Sequence, residues 1–410
     1  MVSLARPPAA AVSVEDARGT LLEGLRRLPG QDVALSAALG RVLARDVCAR
    51  TDLPGTDNSA MDGYAVVSAE IAGATAAAPV RLALGAESRA GHRAPDHRSG
   101  TATLIATGAP IPRGADAVVP LEQTERGGHD VLFAAGAPPG RHIRRRGEDV
   151  AAGTVVMAAG RRLRSVDVGV CAAAGMALVH VARRPRVALL SSGDELVEPG
   201  TVPQPHQVTD VNTAMLSAAV EEAGGVPVAI GVVGDDRAAV ARALESARDA
   251  ADLVVSSAGV SMGGHDHVRD CVAELGSVSL WTVAMRPGKP LVIGRVGDTP
   301  FVGLPGNPVS SAVTFLLFAR AAILALQGAS RLLPPALPVV LGEAFEKPAH
   351  LETYLRVRLE RDEGGLVARS SGGQGSAMMH GLGTADALLV LPGGRSVFPA
   401  GAPATALQLP

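Results

Sequence analysis

Four stretches place Gly, Ser or Asn directly after short apolar runs, three of them beside carboxylates. Ser192-Gly193-Asp194-Glu195 follows residues 187–191, and Gly234-Asp235-Asp236 follows 226–233. Ala258-Gly259-Val260-Ser261-Met262-Gly263-Gly264-His265-Asp266 follows 253–257, and Leu304-Pro305-Gly306-Asn307-Pro308 follows 301–303. Gly-rich turns let backbone N–H groups approach a phosphate at a helix N-terminus. Carboxylates at the same rim repel that phosphate unless a divalent cation joins them, and hard oxygen ligands suit Mg2+. A different chemistry sits in Arg286-Pro287-Gly288-Lys289-Pro290, where two cations within four residues on a stiff frame suit an oxyanion. Two further polar clusters are Thr56-Asp57-Asn58-Ser59-Ala60-Met61-Asp62-Gly63-Tyr64 and Arg144-Arg145-Arg146-Gly147-Glu148-Asp149. The arginine run reads as a solvated face, a phosphate clamp or a contact with a second copy. His265-Asp266-His267 has no third ligand at metal-site spacing and is a weak transition-metal signal. The glycines at 259–264 lack the acid about twenty residues on that a dinucleotide site needs, and no P-loop or G-x-S-x-G motif occurs.

These stretches need elements to hold them. Alternation of apolar runs with helical patterns begins at Arg186. Strand-like 187–191, 226–233, 253–257 and 301–303 precede helix-like 212–223, 238–249, 266–275 and 309–326. That pattern predicts a parallel sheet with helices on both faces, which binds ligands beyond the carboxyl ends of its strands. Upstream, a helix over 13–28 starts at a Ser13 cap, and short β-type runs at 64–68, 80–84, 101–106, 117–121 and 131–134 indicate a small β-rich domain. A helix over 161–174 makes the first segment discontinuous. After a Pro-rich boundary at 332–338, strands at 354–359 and 387–391 indicate a small C-terminal β-domain. The expected division is 1–45 with 150–180, 46–149, 181–329 and 330–410. The fold class is a multidomain α/β chain whose central three-layer domain is flanked by a β-rich insertion and a β-barrel-like end.

Composition narrows the function. With 38 basic against 40 acidic residues and nine aromatics, the chain has neither the basic face nor the stacking platform of a nucleic-acid binder. All but two of the basic residues are arginine, so Lys289 and Lys347 stand out. Cys48, Cys171 and Cys271 are far apart with no C-x-x-C, which suits a reducing cytoplasm. Residues 309–326 approach membrane length but carry Arg320, so a buried core helix is expected, with no membrane span and no N-terminal signal.

Taken together, the motifs resemble the molybdopterin molybdenumtransferase family (MoeA and the gephyrin E domain). The matching words are Asp57-Asn58-Ser59-Ala60-Met61-Asp62-Gly63-Tyr64, Thr107-Gly108-Ala109-Pro110 and Arg145-Arg146-Gly147-Glu148-Asp149. They continue through Ser192-Gly193-Asp194-Glu195-Leu196, Gly259-Val260-Ser261-Met262-Gly263, Pro287-Gly288-Lys289-Pro290, Leu304-Pro305-Gly306-Asn307-Pro308-Val309-Ser310 and Gly373-Gln374-Gly375-Ser376. The resemblance covers essentially the whole chain in order. It implies a four-domain L-shaped homodimer whose third domain resembles the molybdopterin adenylyltransferase fold. The implied reaction takes adenylylated molybdopterin and molybdate as substrates, uses Mg2+, and releases molybdenum cofactor and AMP. Implied protein partners are molybdopterin adenylyltransferase and molybdoenzyme chaperones.

Carried over by motif position, Glu195, Asp235 and Asp266 are the functional and metal-binding acids. Asp57, Thr107 and Asp149 belong to the second domain, which faces the partner's cleft. Arg286, Lys289, Pro290, Arg356 and Ser376 are candidates for oxyanion binding. Asp57 and Lys289 join the three acids as the catalytic set. Ser192, Gly193, Gly259, Ser261, Gly263, Pro305, Gly306 and Asn307 complete the substrate-binding set. The chain departs from the family's pattern at Thr282 and Arg286, where lysines are common, and at Ala258, where glycine is. The alternative is a non-catalytic paralogue that carries molybdopterin or its cofactor. Thr282 favours that carrier, and retention of Glu195, Asp235, Asp266 and Lys289 favours the enzyme.

Overall fold

The computed structural model describes residues 11–234, 236–259 and 267–410. Helix α1 (Val14–Leu22) starts at Ser13, whose hydroxyl oxygen accepts the Asp16 N–H at 3.0 Å. It stops at Leu22 rather than 28, because Gly24 turns the chain at φ +74°. Sequence grouping put this helix with the first domain, but Val14, Ala17 and Leu21 are buried in the core of the central α/β domain. The first domain's own core joins Ala38, Leu43 and Val47 to Met157, Leu163, Cys171 and Val181. Two distant segments therefore close one core, with Gly30–Ala34 pairing antiparallel to Leu178–Ala182. Between them, six strands from Gly63–Val66 to Asp130–Phe133 form a separate sheet around Tyr64 and Phe133, whose rings meet edge to face at 6.3 Å.

The central domain runs β1 (Arg186–Ser192), α2 (Val211–Glu222), β2 (Val226–Val233), α3 (Arg237–Ala250), β3 (Leu253–Ser257) and α4 (His267–Leu275). It continues through β4 (Gly276–Thr282), β5 (Pro290–Val296), β6 (Thr299–Leu304) and a 19-residue helix α5 (Pro308–Leu326). Strand order is β2-β1-β3-β6-β5-β4. The first four are parallel as expected, but β5 runs antiparallel to β6 and to β4. The sheet is therefore mixed, and the reversal creates the turn that carries Arg286 to Lys289. Period-2 alternation splits the strands between two cores. Val187 and Leu189 pack with α1, α2 and α5, while Ala188 and Leu190 pack with α3 and α4. Helix α5 is apolar enough to cross a membrane by composition, yet 83% of its apolar window is buried, so it is the core helix of this domain.

The C-terminal domain supplies five strands of a six-stranded sheet, in which Glu352–Asp362 pairs with both Gly365–Ser370 and Ala387–Leu391, curling it towards a barrel. Its edge is extended by Met285–Arg286 of the central domain, in parallel register Met285 to Glu352 and Arg286 to Thr353. That pairing sews the two domains together beside the candidate site.

Candidate active site

The carboxyl ends of β1, β3 and β6 open into a cleft of about 730 Å3. Ser192 and Glu195 reach it from β1, Ser257, Ala258 and Gly259 from β3, and Pro305, Gly306 and Asn307 from β6. Gly193 has φ +150°, and a Cβ there would sit 2.5 Å from the Glu195 carboxylate, so glycine lets that side chain fold back over the turn. Glu195 is exposed and forms no ion pair among the described residues. Ala258 sits at φ +69°, a left-handed conformation that costs about 1 kcal/mol for a residue with a Cβ. The family's glycine at this place has that backbone reason.

Two residues that sequence reasoning missed organise the floor. Asp210 caps α2, its carboxylate accepting from the Thr213 N–H at 3.0 Å and the Thr213 hydroxyl at 2.5 Å. Asn212 is buried, and its Nδ2 donates to Ser257 Oγ and to the Gly306 carbonyl, both at 2.7 Å. One amide thus locks the exits of β3 and β6 to the start of α2. The signal available in sequence was the Asp-x-x-Thr cap pattern at 210–213.

Pro290 also lines a second cavity of about 600 Å3, whose walls come from the β4–β5 turn and the C-terminal domain. The turn is closed by the Val283 N–H donating to the Lys289 carbonyl at 3.0 Å. Gly288, at φ +102°, lies so close to α5 that a Cβ would meet Thr314 Cγ2 at 2.4 Å. Arg286 and Lys289 are exposed in this cavity, and neither forms an ion pair among the described residues. Ser376 joins them because the Val309 N–H, in the first turn of α5, donates to its carbonyl at 3.0 Å. Arg356 takes another position: it is 1% exposed and donates to the carbonyls of Gly373 at 2.5 Å and Gly375 at 3.2 Å. It shapes the loop that presents Ser376 from beneath, outside the residues lining either cavity. Thr282 is paired with Pro290 and also lies outside both linings.

The second-domain residues form their own group. Asp57 accepts from the Arg146 N–H at 2.8 Å and from the Arg145 guanidinium at 2.7 Å. The amide and then the guanidinium hold its carboxyl below the usual range. Thr107 is held by Asp62, which accepts its N–H at 2.6 Å and its hydroxyl at 2.9 Å. Asp149 is exposed, with its N–H bonded to Leu53 O at 3.0 Å. The arginine run is exposed, and within it Arg145 pairs with Asp57 and Arg146 with Asp52. None of Asp57, Thr107 and Asp149 lines either cavity. Asp235, Ser261, Gly263 and Asp266 lie outside the described residues. Among the described residues, no three His, Cys, Asp or Glu side chains converge on a point that holds a metal.

Residues 12–175 match the MoeA N-terminal region (domain I and II), 188–325 a "Probable molybdopterin binding domain", and 338–409 the MoeA C-terminal region (domain IV). Molybdopterin molybdenumtransferase 2 of Mycobacterium tuberculosis is 39% identical over 93% of this chain and 95% of its own. Molybdopterin molybdenumtransferase of a Nostoc species is 36% identical over 97% and 94%. A molybdopterin biosynthesis MoeA protein from Pyrococcus horikoshii has a related structure, with TM-score 0.79 and 30% identity over 97% of this chain and 99% of that one. The chain belongs to the molybdopterin molybdenumtransferase (MoeA) family.

Proposed function

We propose that this protein inserts molybdate into adenylylated molybdopterin, with the cleft at the strand ends holding the pterin nucleotide and the Arg286–Lys289 cavity holding molybdate. The observation that carries this reading is the junction of the two cavities at Pro290, which sets a phosphate-suited site beside two unpaired cations. Molybdate is a tetrahedral dianion, and charge-assisted donors are what extract it from water. Arg286 and Lys289 supply the charge, and the hydroxyls of Ser310 and Ser376 line the same space. The Gly306–Asn307 turn at the start of α5 offers backbone N–H groups to phosphate, whereas the Gly193 and Ala258 N–H groups already donate to the Val233 and Leu304 carbonyls. Thr282 lines neither cavity although it pairs with Pro290, and Arg286 and Lys289 still supply the cavity's charge, which supports the enzyme over a carrier.

The donor chemistry suits Mg2+, since Glu195 presents a free carboxylate to the cleft and Asp235 and Asp266 share its motif set. When bound, that ion would neutralise the phosphoanhydride's charge and polarise it for cleavage. The reading includes a homodimer, supported by Leu39, Val155, Val166, Val170 and Leu178 exposed on the first domain. It includes a cytoplasmic location, supported by three unpaired cysteines. The test is conversion of adenylylated molybdopterin and molybdate to cofactor and AMP by the purified chain. Turnover should stop in excess chelator and return with Mg2+. Undiminished turnover in chelator removes the metal from the reading, and no turnover with added Mg2+ removes the transferase.

A further inference from the structure

Thr353 lies opposite Arg286 in a parallel pairing between the domains. Residues in register on adjacent strands leave the same face of a sheet, and both line the Arg286–Lys289 cavity. Only 2% of Thr353 is exposed, and its hydroxyl has no hydrogen-bond partner among the described residues. A buried hydroxyl with no partner is costly, and native proteins keep few of them without a reason. Lys347 lines the same cavity at 8% exposure. Its ammonium donates to the carbonyls of Leu351 at 2.7 Å and Pro348 at 3.2 Å, and forms no ion pair among the described residues. Of the two carboxylates in the lining, Glu343 is engaged by the Ser370 N–H at 2.7 Å, and Glu346 is the other. Three cations against two acids leave the cavity positive.

We propose that Thr353 is an anion-binding residue of this cavity, its hydroxyl donating to a molybdate oxygen beside Arg286. The proposal rests on the reading that molybdate occupies this cavity. Four oxygens around one metal need donors from several directions. Thr353 supplies one from the C-terminal domain, and Ser310 on α5 lines the same cavity. The hydroxyl is left unpaired in the empty protein and is satisfied when the anion arrives.

The experiment is a thermal melt of the full chain titrated with molybdate alone, in wild type, Thr353→Val, Thr353→Ser and Lys289→Ala. Thr353→Val keeps the shape and removes the donor, so without molybdate it should melt at or above wild type. It should need about tenfold more molybdate for the half-maximal melting shift, the expected loss for one hydrogen bond to a charged group. Thr353→Ser should stay within about threefold of wild type. Thr353→Ala, lacking the same hydroxyl, replaces the valine variant if that does not fold. Overturning results are Thr353→Val titrating like wild type while Lys289→Ala is weakened, which leaves the cavity reading standing and removes Thr353. A wild-type protein with no molybdate shift, or one matched by Lys289→Ala, removes the cavity reading and this inference with it.

Discussion

Lys289 is exposed in a cavity where it forms no ion pair among the described residues, on a turn that Gly288 presses against α5. A surface lysine on a flexible stem is worth little as a binding group, because ordering it costs rotamer freedom. Here the backbone is held by Pro287, Gly288 and Pro290, so only the side chain has to order. Lys289→Ala should raise the molybdate needed for half-maximal rate by about 10- to 100-fold, since each charge-assisted donor contributes roughly 1.5–3 kcal/mol. Dependence on the adenylylated pterin should change far less, because in the proposed arrangement its phosphates would face the other cavity. Molybdate titration at saturating pterin nucleotide checks this, and equal curves for the two proteins would place Lys289 outside the site. The placement of Lys289 on a stiff turn was legible in sequence because its cation and stiff neighbours are contiguous. Thr353 and Asn212 were not, because their significance depends on a partner 45 or more residues away or on burial, neither of which a local window displays. Arg356 shows the reverse limit, since its motif position implies a ligand contact while no motif displays its burial or its bonds to the Gly373 and Gly375 carbonyls.

At the scale of elements, the first domain depends on one small helix, Ser165–Ala173, whose entry is held by Asp167 accepting the Arg164 N–H. Asp167 is 3% exposed, accepts the Arg164 N–H at 2.9 Å and the Arg161 guanidinium at 2.7 Å, and is also paired with the Arg164 guanidinium. Those partners, Arg161 first, hold its carboxyl far below the ordinary range. A carboxyl depressed in the folded state stabilises fully above its unfolded pKa of about 3.9 and loses that contribution as pH falls towards the folded value. Asp167→Asn should therefore cost about 2 kcal/mol at pH 7, the arginines being too exposed for the full cost of breaking a buried pair. The gap to wild type should narrow between pH 4 and pH 3. Urea unfolding at pH 7 and pH 3 measures it, and a gap that widens in acid would contradict the linkage. The strand–helix alternation was legible because each unit is local and periodic. The antiparallel β4 and β5 were not, since their direction is set by a turn and by pairing with β6, and neither leaves a period in the sequence. The end of α1 was likewise set by one glycine's φ while Leu25 and Leu28 went on satisfying the apolar pattern from an extended chain.

At the scale of the whole molecule, the lining of both cavities comes from the central and C-terminal domains, while Asp57, Thr107 and Asp149 sit in the second. Asp57 and Thr107 are held in place by Arg145, Arg146 and Asp62. Residues positioned so firmly and yet absent from the cavities of their own chain fit a site completed by a second copy. In a C2 dimer each site would then combine one chain's second domain with its partner's cleft. Asp57→Ala disables the first contribution and Glu195→Ala the second, so each homodimer should be inactive. In a heterodimer of the two, one site carries both substitutions and the other carries neither. Random exchange makes half the dimers mixed, so activity should recover to about a quarter of wild type. Sites built within one chain would recover nothing, because every chain carries a lesion. Mixing the purified variants, confirming exchange by differently tagged chains, and assaying cofactor formation distinguishes the two arrangements. No recovery among proven heterodimers would place the whole site in a single chain and leave the Asp57 cluster a structural part of its own domain.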